Sequence, residues 1–402
     1  MVDAADFLAS IRQEPLSMPV SGIDDIVAYG RDRQGLMPLW VGEGDAPTPA
    51  FICEAATRSL AAGETFYTDQ RGIFALRQAI ASYMTHVYGS PFAGSAEPFC
   101  ADRFYVSIGG MHAIQMAVRM VAGAGDEVII LTPAWPNFTG ALSVAGATPA
   151  EVPLGFGGTP EAPHWHLDMA RLAAAVTPRT RAIFVNTPGN PTGWTASPAE
   201  LAALLELARR HGLWIIADEI YGRITFNGER APSFHDVIED RDRVIFVQTL
   251  SKNWAMTGLR CGWIEVPPAL GRIVESLVLY STSGVAVPIQ RAAQAALERG
   301  EGFVAHQISN FKKGRDILCA GLAATGRARF AVPQATLYLF TRIDGEPDAA
   351  LLARRLVDEA GVGVAPGTAF GAGGEGFVRL CFARMPDDMV EATRRLVSWL
   401  KR

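Results

Sequence analysis

The chain has 402 residues, which exceeds the usual size of one compact core and indicates about two or three folding units. Its 36 basic and 41 acidic residues give a net charge of −5, so the clustered basic excess of a nucleic-acid-binding protein is missing. Hydrophobic residues make up 49% and charged residues 19%, which excludes an intrinsically disordered chain and predicts a soluble globular protein.

The amino-terminal segment and the cysteines favour a cytoplasmic protein. Residues 1–15 carry Asp3 and Asp6 and lack the apolar run of a signal peptide, and no segment approaches the roughly 20 apolar residues that span a bilayer. The five cysteines are scattered and none is in a CxxC pair, so neither disulfides nor a zinc site are expected. His164 and His166 form an HxH without a third ligand nearby, and we expect loop residues there. We predict no metal and no membrane association.

The middle of the chain alternates short apolar runs with helical patterns. The clearest helix follows Ser197, where Pro198 and Glu200 complete a capping box and Gly212 provides a stop. Such alternation predicts a mainly parallel sheet covered by helices on both faces, with ligands beyond the carboxyl ends of the strands. The predicted strands are Arg103–Ile108, Glu127–Leu131, Arg181–Val185, Leu213–Ala217 and Arg243–Val247.

After Pro267 the pattern changes to helices, followed by a smaller α+β unit. The first 45 or so residues lack strong periodicity, and we expect them to pack against that smaller unit or against a partner subunit. The expected division is an amino-terminal arm over 1–45, a large domain over 46–290 and a small domain over 291–402, with a long bridging helix over about 302–324. The predicted elements are helices Ala269–Tyr280, Pro288–Arg299, Gly302–Ala324, Asp348–Ala360 and Pro386–Leu400, and strands near Thr336–Ile343, Val362–Ala365 and Phe377–Phe382.

Four chemically useful side chains follow three of these strands. Lys252 comes shortly after one strand, Asp218 and Tyr221 after another, and Asn190 after a third. Each has an ordinary alternative as a surface lysine, a solvated turn or a tight turn. Because the carboxyl ends of parallel strands meet at one edge, we expect an amine, a carboxylate, a phenol and a carboxamide to lie together there.

This set meets the chemical requirements of pyridoxal phosphate. A lysine amine forms a Schiff base with an aldehyde, and an aspartate opposite a pyridine nitrogen keeps the ring protonated so that it can accept carbanion charge. A tyrosine and an asparagine can hydrogen-bond the phenolate oxygen of the ring. The residues therefore predict pyridoxal 5′-phosphate as the cofactor.

From about Val41 to Leu400 the chain resembles the class I/II aminotransferase family, which are fold-type I pyridoxal-phosphate enzymes of the aspartate aminotransferase superfamily. The resemblance implies an α/β fold in which helices sandwich a mainly parallel, seven-stranded-type sheet in the large cofactor domain, beside the smaller α+β domain. It also implies transfer of an amino group from an L-amino acid to a 2-oxo acid by a ping-pong mechanism. Its motifs here are Asn190-Pro-Thr-Gly193, Asp218-Glu-Ile-Tyr221, Ser251-Lys252 with Arg260 eight residues on, and Arg379-Leu-Cys-Phe-Ala383.

The resemblance also assigns catalytic and cofactor-binding roles. Lys252 is implied to bind the cofactor covalently and move the proton, Asp218 to contact the ring nitrogen, and Tyr221 and Asn190 to bind the ring oxygen. Trp135 is implied to stack on the ring. The phosphate-binding residues implied are Gly109, Gly110 and Met111, which open a helix, together with Thr249 and Arg260.

For the substrate, the resemblance implies that Arg379 binds the α-carboxylate, with Gly42 and Asn190 close by. Tyr67 matches a tyrosine that reaches the phosphate of the neighbouring subunit, which implies a homodimer with active sites at the interface. The family pattern also predicts cis peptide bonds at Thr132-Pro133 and Asn190-Pro191.

Other functions remain open at this point. A pyridoxal-phosphate lyase or synthase, such as a C–S lyase, would share every ring-binding residue. A nicotinamide oxidoreductase is disfavoured because the glycine cluster 371–376 precedes a strand and not a helix, and a transcriptional regulator because no room is left for a DNA-binding unit. No arginine lies within 278–284, which counts against a dicarboxylate substrate unless Arg71 or Arg291 supplies that charge from elsewhere. We therefore favour a neutral, aromatic or broad range of amino acids, with 2-oxoglutarate or pyruvate as the acceptor.

Overall fold

The computed structural model describes residues 4–402 apart from 17, 19, 90, 92–98, 160 and 161. The strands are β1 (Met37–Pro38), β2 (Phe104–Ser107), β3 (Glu127–Thr132), β4 (Thr148–Pro153), β5 (Gly155–Thr159), β6 (Ala162–His166), β7 (Thr180–Asn186), β8 (Trp214–Asp218), β9 (Val244–Thr249), β10 (Gly262–Glu265), β11 (Ala328–Phe330), β12 (Tyr338–Ile343), β13 (Val362–Gly363), β14 (Ala365–Pro366) and β15 (Phe377–Cys381).

The α-helices are α1 (Ala4–Ala9), α2 (Gln13–Leu16), α3 (Gly22–Gly30), α4 (Ala50–Ala61), α5 (Phe74–Tyr88), α6 (Gly109–Val121), α7 (Asn137–Ala145), α8 (Met169–Ala174), α9 (Pro198–His211), α10 (Gly271–Leu279), α11 (Val287–Arg299), α12 (Glu301–Ala323), α13 (Ala349–Arg355) and α14 (Pro386–Leu400). A π-helical turn over Leu356–Ala360 continues α13.

A seven-stranded sheet forms the larger part of the molecule. Its strands lie in the order β2-β10-β9-β8-β7-β3-β4, and β10 is antiparallel to both of its neighbours while the other six run in one direction. Along β7, Ile183 and Val185 belong to the apolar cluster that contains α9, whereas Ala182 and Phe184 belong to the cluster on the other face that contains α6 and α7. A sheet buried on both faces needs apolar residues at successive positions, which explains the continuous Val/Ile/Phe runs.

Helix α9 shows how local sequence positions one of these covering helices. Ser197 Oγ accepts a hydrogen bond from the Glu200 backbone N–H at 3.2 Å, and the Glu200 carboxylate accepts one from the Ser197 backbone N–H at 2.8 Å. Gly212 ends the helix with φ +65°, a left-handed conformation that suits glycine. The predicted capping box and stop are confirmed.

The smaller sheet lies towards the carboxyl end of the chain. Its antiparallel order is β11-β12-β15-β14, and one apolar cluster joins it to α12, α13 and α14. Ile26 of α3 lies in the same cluster, and β1 pairs in parallel with β13. The amino-terminal residues that the structure describes therefore pack against the smaller unit, as expected.

Three features differ from the sequence predictions. Strand β10 is only four residues long and follows β9 without an intervening helix, so no alternating pattern marks it. Strand β4 contains Pro149 and Pro153, which is tolerated because β4 is an edge strand. The expectation that His164 and His166 are loop residues is wrong, since both lie in β6, which forms an antiparallel hairpin with β5.

Within the described part of the chain, no helix is long and apolar enough to cross a membrane.

Candidate active site

The predicted site residues meet at the carboxyl edge of the large sheet. Asp218 ends β8, Asn190 follows β7 and Lys252 follows β9, and these three neighbouring strands are parallel. A cavity of about 260 Å³ opens between this edge and the smaller sheet. Seven of the predicted residues line it: Gly42, Trp135, Asn190, Asp218, Tyr221, Lys252 and Arg379.

The side chain of Lys252 lines this cavity, and its amine is hydrogen-bonded there. Its Nζ donates a hydrogen bond to the Gly42 carbonyl oxygen at 2.7 Å. Burial disfavours the charged amine and lowers the pKa of Lys252 to about 8. A substantial fraction of the amine is therefore neutral, and nucleophilic, near physiological pH.

Asp218 is almost completely buried, and only one of its two carboxylate oxygens accepts a hydrogen bond from a described residue. Its Oδ1 accepts a hydrogen bond from the Ile220 backbone N–H at 3.3 Å, and among the described residues Oδ2 has no partner. Burial, with a smaller contribution from the neighbouring Glu219, raises the pKa of Asp218 to about 7. A buried carboxylate with one bare oxygen is suited to an N–H donor or a cation supplied from the cavity.

Tyr221 and Tyr338 form a buried pair beside Gly42. Their hydroxyl oxygens lie 2.8 Å apart, and burial raises the pKa of Tyr221 well above its ordinary value. A β-carbon added at Gly42 would lie 2.0 Å from the Tyr338 hydroxyl oxygen. Gly42 is therefore required for the backbone to pass this close to the tyrosines.

Arg379 presents a buried positive charge. The residue is 2% exposed, and its Nη1 donates to Asn190 Oδ1 at 2.9 Å while Nη2 donates to the Trp40 carbonyl oxygen. Nε has no hydrogen-bond partner, and no carboxylate among the described residues forms an ion pair with the guanidinium. A buried guanidinium without an anion is costly, so this geometry favours a carboxylate ligand from the cavity.

The predicted phosphate-binding residues lie close together around the start of α6, and none of them lines the cavity. Helix α6 begins at Gly109, where an added β-carbon would lie 2.6 Å from Arg260 Nη2. Thr249 is on the other side of Gly110, with its β-carbon 3.7 Å from the position that a Gly110 side chain would take. The positive end of α6, its free N–H groups and the guanidinium together suit an anion.

Trp135, Met111 and Tyr67 each have different surroundings. Trp135 lines the cavity and its ring contacts Phe138 edge-on, with 5.6 Å between centroids. Met111 lies in the first turn of α6, where its side chain packs on an apolar cluster. Tyr67 is 95% exposed and does not line this cavity. Within one chain the structure therefore does not bring Tyr67 to the other site residues.

Sequence reasoning missed two residues of the site. Asn186 ends β7; its Oδ1 accepts from the Asn190 backbone N–H at 2.7 Å, and its Nδ2 donates to the Asp218 carbonyl oxygen at 3.1 Å. Its position at a strand end was a signal that could have been used. Tyr338 begins a strand of the smaller sheet, and nothing in the local sequence indicates that it pairs with Tyr221.

A buried polar network braces the turn that carries Asp218 and Tyr221. Glu219 accepts hydrogen bonds from Ser233 Oγ at 2.5 Å and from the Phe234 backbone N–H at 2.8 Å. His235 continues the network to Glu265 on β10, with 3.0 Å between Nε2 and the carboxylate oxygen. Glu219 therefore serves this network and does not line the cavity.

Both predicted cis peptide bonds are confirmed, and a third one was not predicted. The peptide bonds Thr132-Pro133 and Asn190-Pro191 are cis, and so is Thr187-Pro188.

A larger depression of about 660 Å³ lies near the amino ends of β7 and β8, on the opposite edge of the sheet from Lys252. Ligands of parallel sheets bind at the carboxyl edge, where the smaller cavity is.

The residues present fit the pyridoxal phosphate that the sequence resemblance implies. The bare Oδ2 of Asp218 suits a protonated pyridine nitrogen, the amine of Lys252 with its lowered pKa suits an aldehyde, and the α6 end with Arg260 suits a phosphate. The Asn190 carboxamide still has its Nδ2 donors available, because its Oδ1 accepts from Arg379.

Comparison with known proteins agrees with the resemblance found in the sequence motifs. The model of the family "Aminotransferase class I and II" matches residues 35–396. The chain is 34% identical over 378 residues to an arginine–pyruvate transaminase of Pseudomonas aeruginosa, covering 92% of this chain and 91% of that protein. It is 30% identical over 390 residues to an aspartate aminotransferase of Thermotoga maritima, covering 97% and 98%.

Solved structures agree with the sequence relatives. A structure of Thermus thermophilus aspartate aminotransferase with maleate has a TM-score of 0.86 at 31% identity, covering 97% of this chain and 99% of that chain. These relatives are transaminases, which favours amino transfer over the lyase alternative. The chain belongs to the class I and II aminotransferase family and is an aminotransferase of fold type I that uses pyridoxal 5′-phosphate, an amino acid and a 2-oxo acid.

Proposed function

We propose that the cavity between the two sheets is the active site and that the predicted residues carry the roles assigned to them from the sequence. The observation that carries this proposal is the convergence of three groups on one cavity: the amine of Lys252, whose hydrogen bond goes to the Gly42 carbonyl oxygen, and Oδ2 of Asp218 and Nε of Arg379, which have no partner among the described residues. Each lacks the kind of partner that a cofactor or an amino-acid substrate would bring.

In this proposal Lys252 is the catalytic base and acid. When bound, pyridoxal phosphate supplies an aldehyde that captures the amino group and a ring that accepts the electron pair released at the α-carbon. Lys252 Nζ then takes the α-proton and returns a proton on the other side of the transferred nitrogen, which its lowered pKa favours near neutral pH. The Gly42 carbonyl oxygen orients the amine.

The other residues hold the reactants in place. Asp218 binds the ring nitrogen and keeps it protonated, Tyr221 and Asn190 bind the ring oxygen, and Trp135 stacks on the ring. Arg379 grips the α-carboxylate through two parallel hydrogen bonds, with Gly42 and Asn190 beside it. The phosphate is bound by the group Gly109, Gly110, Met111, Thr249 and Arg260. The amino group moves from an L-amino acid to a 2-oxo acid in two half-reactions, the ping-pong order expected of this family.

The test of the substrate role is Arg379→Lys. Lysine keeps the charge but cannot make two parallel hydrogen bonds to a carboxylate, so kcat/KM for the amino acid should fall about 10- to 100-fold. Steady-state kinetics with a good amino donor and 2-oxoglutarate measure this. Arg329→Lys is the matched control, because Arg329 lies on the same small sheet and forms an exposed ion pair with Asp344. Equal kcat/KM values for the two variants would contradict the role of Arg379.

The proposal includes a homodimer with the active sites at the interface. Its support is the exposure of large apolar and aromatic side chains near Tyr67: Tyr67 itself is 95% exposed and Phe66 is 85% exposed. Residues 65–68 also line a depression of about 330 Å³ with residues 282–286. Monomers of soluble proteins rarely leave such clusters uncovered. Sedimentation equilibrium that gave the mass of a single chain would contradict the dimer.

Two further expectations belong to the same proposal. The first is the division into an arm over 1–45, a large cofactor domain over 46–290 and a small domain over 291–402, supported by the apolar cluster on the α6 face of the large sheet, whose members all lie within residues 105–278. The second is a reducing, cytoplasmic location, supported by five unpaired cysteines.

A further inference from the structure

The outer wall of the active-site cavity is apolar except for one carboxylate. Ile23 and Val27 of α3 and Val41 line it, and Asp24 lies between them on the same helix. We propose that Asp24 is a specificity residue that binds the cationic end of a substrate side chain, so that the preferred amino donor is a basic amino acid with an aliphatic stem. This inference rests on the proposed function of the cavity and names its substrate class.

The charge of the cavity wall favours a cationic substrate side chain. Among the described residues that line the cavity, the charged side chains are Lys252, Asp218, Arg379 and Asp24. The first three have partners in the cofactor or the α-carboxylate, which leaves Asp24 as the charge that faces the rest of the substrate. A second carboxylate on the substrate would meet this negative charge and no cation from that wall. A cationic end would be attracted, while its stem packs on Ile23, Val27 and Val41.

The hydrogen bonding of the Asp24 carboxylate supports the same conclusion. None of the described residues donates a hydrogen bond to it or forms an ion pair with it, although its backbone N–H is capped by Ser21 Oγ at 3.2 Å. This carboxylate is therefore available to a ligand. The charge of this wall alters the expectation from sequence alone, which favoured a neutral, aromatic or broad range of amino-acid substrates.

An acidic residue in the first turn of a helix also stabilises the positive helix end. Asp25 lies in the same turn of α3 and does not line the cavity. The two carboxylates therefore share the effect on the helix, and only Asp24 has access to a substrate. This makes Asp25→Asn a matched control for Asp24→Asn.

The experiment compares each basic amino acid with an uncharged analogue of similar shape: L-lysine with L-norleucine, and L-arginine with L-citrulline. The quantity measured is the ratio of kcat/KM within each pair. In the holoenzyme the ratio should exceed one and decrease as salt is added. Asp24→Asn should lower the ratio about fivefold, as expected for a partly solvated ion pair, and Asp24→Lys should bring it below one. Asp25→Asn should leave the ratio at the wild-type value.

Each outcome decides between the claims. Equal ratios for Asp24→Asn and Asp25→Asn, in a protein that transfers amino groups from norleucine or citrulline, would overturn the role of Asp24 and leave the proposed function intact. A wild-type ratio at or below one would do the same. A holoenzyme that transfers no amino group from any of these or of the common amino acids would overturn the proposed function itself.

Discussion

Replacing Lys252 with alanine is expected to lower kcat by about a thousandfold or more with every amino donor. Positioned proton transfer contributes about 10²- to 10⁴-fold to catalysis, and the cavity offers no second amine in the described part of the chain. The variant should still bind pyridoxal phosphate non-covalently, because Asp218, Tyr221, Asn190 and the residues at the α6 end are unchanged. Turnover is measured with a coupled assay for the 2-oxo acid product, and cofactor binding by equilibrium dialysis.

A matched lysine on the surface serves as the control for this variant. Lys312 is half exposed on α12 and forms an ion pair with Asp316, so Lys312→Ala should keep the wild-type kcat. Borohydride reduction followed by peptide mass spectrometry should attach the cofactor to the peptide that contains Lys252. Turnover by Lys252→Ala within tenfold of wild type, or attachment at another lysine, would contradict the assignment.

Asp218→Asn should reduce activity and alter the pH dependence of stability at the same time. Without a carboxylate the ring nitrogen loses its charged partner, and removing one such electrostatic contact typically costs about 10²- to 10³-fold in kcat. In the cofactor-free protein none of the described residues is a partner for Oδ2, and burial raises the pKa of Asp218 from 3.8 to about 7. The folded state therefore disfavours the ionised form.

The sign of the stability effect follows from proton binding. Below about pH 4 the carboxyl of Asp218 is protonated in both the folded and the unfolded state. Between about pH 4 and pH 7 the folded protein holds a proton that the unfolded chain has released, so raising the pH destabilises the fold. Relative to Asp218→Asn, the free energy of unfolding of cofactor-free wild type should fall across this window, by at most about 4 kcal/mol. Denaturant titrations at several pH values measure the difference.

Asp126→Asn provides a control of opposite sign. A hydrogen bond from Arg181 lowers the pKa of Asp126, so this carboxylate stabilises the fold above the unfolded pKa, and the contribution is lost as the pH falls through the folded value. Because this ion pair is partly exposed to solvent, its contribution to the free energy of unfolding is small. If wild type and Asp218→Asn showed parallel pH profiles between pH 4 and pH 7, the buried, uncompensated state of Asp218 would be refuted.

Sequence patterns predicted most of the large sheet and the residues at its edge because both depend on short segments. Strands buried on two faces are apolar throughout, and a polar residue at or shortly after the end of such a strand lies at the carboxyl edge, as Asn190, Asp218 and Lys252 do. The capping box of α9 and its glycine stop involve only local contacts. The two short or edge strands, β10 and β4, lack such a pattern and were missed.

The contacts that complete the site are long-range and could not be predicted locally. Tyr221 and Tyr338 are 117 residues apart in the chain, and Arg379 contacts a carbonyl oxygen 339 residues away, at Trp40. The first contact depends on how the smaller sheet packs over the edge of the larger one, and the second on how the amino-terminal segment packs within the smaller unit. The position of Asp24 on the cavity wall depends on the same packing, since α3 precedes the motif-bearing part of the chain.

The most direct test of the account is the stoichiometry of the first half-reaction. The holoenzyme is mixed with an amino donor and no acceptor, and the 2-oxo acid released is counted against the number of active sites. The account predicts one 2-oxo acid per site, no ammonia, loss of the visible absorbance of the cofactor, and recovery of that absorbance when 2-oxoglutarate or pyruvate is added. Continuous release of 2-oxo acid and ammonia without an acceptor would contradict amino transfer and indicate a lyase.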